Sequence, residues 1–177
     1  DFSLVASGPT VLDKTTKKDA QNIIKKYNLP KIKLRETPKD KKYFEKIKNI
    51  LILDNNVALK AMQEKSQELG FKSFIYSSKI KGESKLVAKK LLEILSKQSK
   101  NTILLAGGET TVKIKGKGKG GRNQELVLSA LKYLKEEQLI ISIASDGKDN
   151  IKGVAGAIGD SLTIKNAQKL NLDIDFY

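Results

Sequence analysis

The chain has 177 residues with no cysteine and no histidine, and 34 Lys and Arg against 20 Asp and Glu give a net charge of +14. A chain of this length can bury the core of one α/β domain with a short attachment. The missing residue types exclude disulfide scaffolds, Cys or His zinc sites and Ser-His-Asp triads. With no long apolar run or leader pattern, we expect a cytoplasmic protein without membrane contact. Because the chain begins at Asp1 instead of methionine, we expect a fragment of a longer protein.

The first 45 residues contain one predicted strand, one predicted helix and a linker. The apolar "SLVAS" (residues 3–7) before the turn signal "GPT" predicts a short strand. A helix follows that Thr15 or Thr16 can cap. Its apolar face consists of Ala20, Ile23, Ile24 and Tyr27. The charged, proline-interrupted "KIKLRETPKDKK" then predicts a linker, with a boundary between residues 30 and 45.

The rest of the chain alternates predicted strands and helices. Strands are predicted at "NILILD" (49–54), "FKSFIYSS" (71–78), "TILLAGG" (102–108), "TVKIK" (111–115) and "LIISIASDG" (139–147). Helices are predicted at 55–70, ending at Gly70, at 83–98 and at 123–136. This alternation predicts an α/β fold, a three-layer α/β/α arrangement with a mostly parallel, mixed sheet.

Unusual polar stretches follow three of the predicted strands. They are "VASGPT", "LLAGGET" with Glu109, and "IASDGKDN" with Asp146 and Asp149. Turn formers are common at any single strand end, but in parallel sheets ligands bind beyond the carboxyl ends of the strands. Three such stretches together favour a binding site at this edge.

Residues 113–121, which we call the glycine–lysine loop, lie just before the helix predicted from 123. Glycine lets backbone N–H groups approach a ligand, and a helix start adds free N–H groups and a positive dipole end, so the loop predicts a phosphate site. Lys117, Lys119 and Arg122 add cations. The alternative is a disordered basic hairpin tip. A dinucleotide site is rejected because any glycine-rich run matches G-x-G-x-x-G easily, and a P-loop is rejected because its motif is absent. We expect the loop to be mobile without ligand.

The positive charge is also compatible with a second function, in which the chain is a basic module that binds a polyanion such as RNA. Lysines are spread along nearly every predicted helix, however, often near an acid, which is typical of a solvated surface. Aromatic residues make up only 6% of the chain, without tryptophan, and single-strand binders need aromatic stacking. Nucleic acid is therefore not the favoured partner.

Several motifs together resemble the MOFRL region of glycerate 2-kinases, some of which are also called hydroxypyruvate reductases. The resemblance depends on "LLAGGETTV", "GKGKGGRNQELVLSAL", "IASDGKDN" and "AGAIGD", with "ASGPTVLD" and "GESKLVAKKL" before them. It implies transfer of the γ-phosphoryl group of ATP to D-glycerate, giving 2-phosphoglycerate, with a divalent metal such as Mg²⁺. It also implies an active site in a cleft between two domains.

The resemblance implies roles for particular residues. Arg122 and Asp146 would be catalytic, and Asp146 and Asp149 would bind metal. Substrate or phosphate binding would involve Gly107, Gly108, Glu109, Lys117, Gly118, Lys119, Gly120, Gly121, Asn123 and Glu125. For Glu109, contact with metal or a hydroxyl and a hydrogen bond to the glycine loop stay equal alternatives. Gln124 is expected to be structural.

The chain departs from the resembled family in composition and extent. Asn150 stands where a glycine is usual, and Gly153 where an acid is frequent. Asn tolerates the left-handed backbone of a glycine, so the turn is expected to persist. Residues 1–44 are expected to be the tail of a preceding, largely absent Rossmann-like domain plus linker, with 45–177 a MOFRL-type domain. The partners would be glycerate, ATP and the missing N-terminal domain, and residues 1–177 alone are expected to be inactive.

Overall fold

A computed structural model describes residues 2–174 of the chain. The chain divides into two compact units, Asp1–Ile52 and Leu53–Tyr177. The predicted domain boundary after residue 44 stays a prediction. No helix within the described residues has the length and apolar character that crossing a membrane requires.

Among its described residues, the first unit contains one regular α-helix. α1 (Lys17–Lys26) begins at a capping box in which the Thr16 side chain accepts from the backbone N–H of Asp19 and the Asp19 carboxylate accepts from that of Thr16. The sequence predicted this helix and its cap. The strand predicted at residues 3–7 is wrong, because Phe2–Ser7 forms 3-10 turns. Positive φ angles at Ala6 (47°) and Ser7 (66°) turn the chain back on itself, which an extended strand cannot do.

The buried strand predicted at residues 49–54 is also wrong. The apolar side chains from Ile50 to Leu53 are 64–91% exposed, and no strand pairs with this segment among the described residues. An apolar run predicts a buried strand only where a partner strand and a covering layer exist.

The second unit is built from alternating helices and strands, which confirms the α/β class. β1 (Lys72–Glu83) and β2 (Thr102–Thr111) form a parallel pair in which Lys72 lies opposite Thr102. β3 (Leu139–Ile143) and β4 (Gly156–Asp160) form an antiparallel pair in which Ile141 lies opposite Ile158. The helices are α2 (Asn55–Glu68), α3 (Ser84–Leu95), α4 (Arg122–Leu131) and α5 (Ser161–Lys169).

Some elements of the second unit differ from the prediction. β4 and α5 had no predicted counterpart, and the strand predicted at 111–115 does not form beyond Thr111, where β2 ends. The strands in the described residues form two separate two-stranded sheets. β3 is shorter than predicted and ends at Ile143, so Asp146 and Asp149 lie in a turn beyond it.

The core of the second unit fixes the position of α4. Buried side chains of α3 pack against buried side chains of α4 and against Ile140 of β3. Ala88 and Ala130 are fully buried, and their small size allows the helices to approach closely. Gly159 of β4 also lies against α4, because a Cβ there would lie 2.7 Å from Leu131 and 2.9 Å from Val127. α4 is thus held by both a helix and a sheet, and the position of its first residue, Arg122, follows from this packing.

Candidate functional site

The C-terminal part of β2 approaches its neighbours so closely that glycine is required. Gly108 has a φ of 153°, and a Cβ there would lie 2.2 Å from the carbonyl oxygen of Ile80. A Cβ on Gly107 would lie 3.1 Å from the side-chain amide of Asn55, which donates to the carbonyl of Ser78 at 2.7 Å. Gly107 and Gly108 therefore have a packing role, and their predicted binding role stays a prediction.

Glu109, the next residue of β2, forms an ion pair with Arg122 at the start of α4. The bond joins Oε1 of Glu109 to Nη1 of Arg122. Both side chains are open to solvent, 76% exposed for Glu109 and 49% for Arg122. Neither alternative considered for Glu109 included Arg122. The pair unites the strand end and the helix start that the sequence singled out separately, and it leaves the guanidinium accessible.

The glycine–lysine loop that connects these elements is exposed over most of its length, including the side chains of Lys117 and Lys119. A Cβ added to Gly118 or Gly120 would meet nothing within 4 Å, so packing does not require glycine at either position. At Gly121, by contrast, a Cβ would lie 2.3 Å from the carbonyl oxygen of Asp149. The fold thus explains Gly121, whereas Gly118 and Gly120 leave an open backbone that a ligand can approach.

Asp149, 26 residues after Asn123 in the chain, caps the N-terminus of α4. One carboxylate oxygen accepts from the backbone N–H of Asn123 at 3.1 Å and from its side-chain amide at 3.0 Å. The other accepts from the backbone N–H of Gln124 at 2.8 Å and from its side-chain amide at 3.1 Å. Asp149 is only 3% exposed. Burial disfavours its charge, but these hydrogen bonds outweigh burial and hold the pKa of Asp149 below its ordinary value.

This cap changes the expected phosphate site. The sequence predicted free N–H groups at the start of α4, yet those of Asn123 and Gln124 already bind a carboxylate. Gln124 has the structural contacts expected of it, since its side chain also donates to the carbonyl of Asp149 at 3.0 Å. Asn123 makes a further hydrogen bond, in which its side-chain oxygen accepts from the hydroxyl of Ser142 in β3 at 2.6 Å.

The other predicted acidic residues lie apart from this cap. Asp146 is exposed, and its carboxylate accepts from the backbone N–H of Lys148 at 3.1 Å within the same turn. Glu125 lies on α4 and accepts from Ser129 at 3.4 Å. Within residues 2–174, no three acidic side chains gather closely enough to enclose a metal ion.

Sequence reasoning missed two side-chain contacts that hold the site together, those of Ser142 and Asn150. Asn150 has a φ of 63°, which confirms the left-handed backbone expected there. Its side-chain amide donates to the carbonyl of Gly120 at 2.6 Å. Ser142 is a polar residue within the apolar "LIISI" strand, a signal that could have drawn attention to it. Nothing in the local sequence indicates the bond of Asn150, whose acceptor lies 30 residues earlier.

Comparison with known proteins agrees with the motifs. Residues 102–177 match the MOFRL family, and residues 1–37 match a domain of unknown function, DUF4147. The chain is 33% identical to glycerate 2-kinase of Pyrococcus horikoshii over 99% of its length, and 38% identical to glycerate 2-kinase of Sulfurisphaera tokodaii over 93%. These alignments cover 45% and 43% of the two relatives, so the chain spans less than half of their length.

A solved structure shows the same fold. The chain matches the crystal structure of glycerate kinase from Thermotoga maritima with a TM-score of 0.78 and 30% identity. The match includes 100% of this chain and 46% of the T. maritima chain. The expected relationship to MOFRL proteins and glycerate 2-kinases is thereby confirmed.

Proposed function

We propose that the chain is part of an ATP-dependent kinase, because residues 102–177 match the MOFRL family and the chain is 33% and 38% identical to two glycerate 2-kinases. The whole protein would phosphorylate D-glycerate to 2-phosphoglycerate in the cytoplasm. This chain would contribute the phosphate-binding side of the active site, and the rest of the protein, including a further N-terminal domain, would contribute the other side.

The observation that carries the proposal is the accessible Arg122 between the glycine–lysine loop and Glu109. Phosphoryl transfer depends on positioning and on neutralising phosphate charge, and it requires neither histidine nor cysteine. A guanidinium suits this task because its planar fork can bind two phosphate oxygens at once. Lys117 and Lys119 would add positive charge, and Gly118 and Gly120 would leave backbone N–H groups open to the ligand.

A magnesium ion fits Asp146 better than Asp149. Mg²⁺ in kinases is held by one or two carboxylates together with substrate phosphates and water. The exposed carboxylate of Asp146 can take that part. Each oxygen of Asp149 already accepts two hydrogen bonds, so we assign Asp149 to positioning of α4. When bound with ATP, the ion would neutralise charge on the transferred phosphoryl group.

The test is an assay of the full-length protein that contains this chain. ATP, Mg²⁺ and D-glycerate are supplied, and 2-phosphoglycerate formation is followed together with ATP consumption. The proposal requires saturable, glycerate-dependent turnover. Absence of turnover with tight, steeply salt-dependent RNA binding would instead support the basic-module alternative, which draws on the exposed lysines of the loop.

A further inference from the structure

Asn150 makes a contact that links two parts of the site. Its side-chain amide donates to the carbonyl oxygen of Gly120 at 2.6 Å, close to the point where the glycine–lysine loop joins α4. The neighbouring Gly121 lies against the backbone of Asp149, with no room for a Cβ. The end of the loop is therefore attached at two adjacent residues to one turn.

That turn has a firm structure of its own. Asp149 donates its backbone N–H to the carbonyl of Val154 at 2.7 Å, and Val154 donates to the carbonyl of Ile151 at 3.1 Å. Ala144 donates to Ala155 at 2.8 Å, which continues the pairing of β3 with β4 into the turn. The carboxylate of Asp149 binds the turn to α4. Asn150 therefore lies in a turn whose backbone is held in place by hydrogen bonds.

We infer that Asn150 is a positioning residue that anchors the C-terminal end of the glycine–lysine loop to the 149–154 turn. The backbone at Asn150 has a φ of 63°, which glycine adopts without strain, so the conformation itself does not require a side chain. The side-chain amide of Asn150 adds a hydrogen-bond donor to the carbonyl of Gly120, which a glycine at position 150 would lack. This inference rests on the proposed function in one respect, because the anchored end is followed directly by Arg122, the residue proposed to bind phosphate.

The anchor limits where the loop can move. Gly118 has open space around it, and the exposed loop up to Lys119 is free to adapt to a ligand. Gly120 and Gly121 are fixed, so motion of the loop does not reach the start of α4. The guanidinium of Arg122 would then keep its place while the lysines rearrange around a phosphate group.

The experiment is limited trypsin digestion of the full-length protein, with cleavage after Lys119 compared with cleavage after Lys113. Cleavage after Lys119 requires release of Gly120 and Gly121, whereas Lys113 lies at the far end of the loop and serves as an internal reference. In Asn150→Gly the ratio of the two cleavage rates should rise about three- to tenfold, as expected for one lost hydrogen bond. Asn150→Asp keeps the size but, when ionised, cannot donate, and it should raise the ratio at least as much.

Asn101→Gly is the matched control. Asn101 also has a positive φ, 56°, and its side chain has no hydrogen-bond partner within residues 2–174. This variant should leave the cleavage ratio unchanged. An unchanged ratio in both Asn150 variants, or an equal rise in Asn101→Gly, would overturn the anchor.

A kinetic measurement separates the anchor from the proposed function. In the glycerate assay, Asn150→Gly should raise the KM for ATP several-fold and change kcat less, because the loop loses preorganisation while the reacting groups remain. A KM equal to that of the unmodified protein would overturn the positioning role in binding. If the unmodified protein does not phosphorylate glycerate at all, the proposed function fails, and the cleavage ratio still decides whether Asn150 anchors the loop.

Discussion

Replacement of Asp149 by alanine should destabilise the protein far more than loss of an ordinary helix cap. The buried carboxylate accepts two backbone and two side-chain hydrogen bonds from Asn123 and Gln124. Hydrogen bonds to charged groups contribute about 1.5–3 kcal/mol each, although bonds to one carboxylate are not additive. Loss of the two backbone bonds alone therefore predicts about 3–4 kcal/mol.

Urea denaturation provides the measurement. With a slope of about 2 kcal/mol per molar urea, the expected loss corresponds to a midpoint lower by about 1.5–2 M. Asp160→Ala is the matched control, because Asp160 caps α5 locally by accepting from the backbone N–H of Thr163 at 2.8 Å. Loss of such a cap costs about 1 kcal/mol. Equal costs for the two variants would refute the conclusion that Asp149 joins the 149–154 turn to α4.

The contribution of Asp149 to stability should depend on pH, because the pKa of its carboxyl lies below the ordinary value of 3.8 in the folded protein. A carboxyl with a lowered folded pKa stabilises the protein fully above its unfolded pKa and loses this contribution as pH falls through the folded value. The stability gap between the unmodified protein and Asp149→Asn should be constant near neutral pH and narrow below about pH 4. A gap that widens on acidification would contradict the charged cap.

Further predictions concern Arg122 and the glycine–lysine loop. In the full-length protein, Arg122→Ala should lower kcat on the order of 10³-fold, and Arg122→Lys should recover little of this loss. Near-normal turnover of Arg122→Ala would show that Arg122 has no part in the mechanism. Residues 1–177 alone should form no 2-phosphoglycerate, because one side of the proposed active site cannot position the reactants. Robust turnover by these residues would contradict the proposal that the rest of the protein completes the site. Residues 113–119 should exchange amide hydrogens rapidly without ligand and become protected with ATP; protection before ATP is added would argue against a mobile loop. Gly118→Ala should leave the unfolding temperature unchanged, whereas Gly121→Ala should lower it, because only the latter Cβ collides with Asp149.

Local signals explain which elements of the fold could be predicted from the sequence. The capping box of Thr16 and the left-handed Gly70 lie within a few residues of the helix ends that they determine. A strand depends on partners that are distant in sequence, which is why the predictions at residues 3–7 and 49–54 failed. The short β4 contains two glycines, and only its pairing with β3 defines it as a strand.

The candidate site shows the same limit. Residue type and spacing were enough to select Arg122, Glu109 and Asp149 as members of one region. They could not show what each carboxylate faces. An acid beside a glycine-rich loop resembles a metal ligand in sequence, but in the structure Asp149 faces the start of a helix and Glu109 faces an arginine.

The cap by Asp149 also determines how a phosphate group could bind here. A helix N-terminus attracts anions through its free N–H groups and dipole, but at α4 a carboxylate already occupies this position. In the proposed function, phosphate charge would therefore be met chiefly by the cationic side chains, above all Arg122, and not by the N–H groups of Asn123 and Gln124. The competing Glu109–Arg122 pair is exposed, and such pairs contribute at most about 1 kcal/mol, so the proposed phosphate, with two negative charges, would displace Glu109 at little cost. A site of this kind depends on where one guanidinium is held, and that position follows from the packing of α4 and from its attachment to the 149–154 turn.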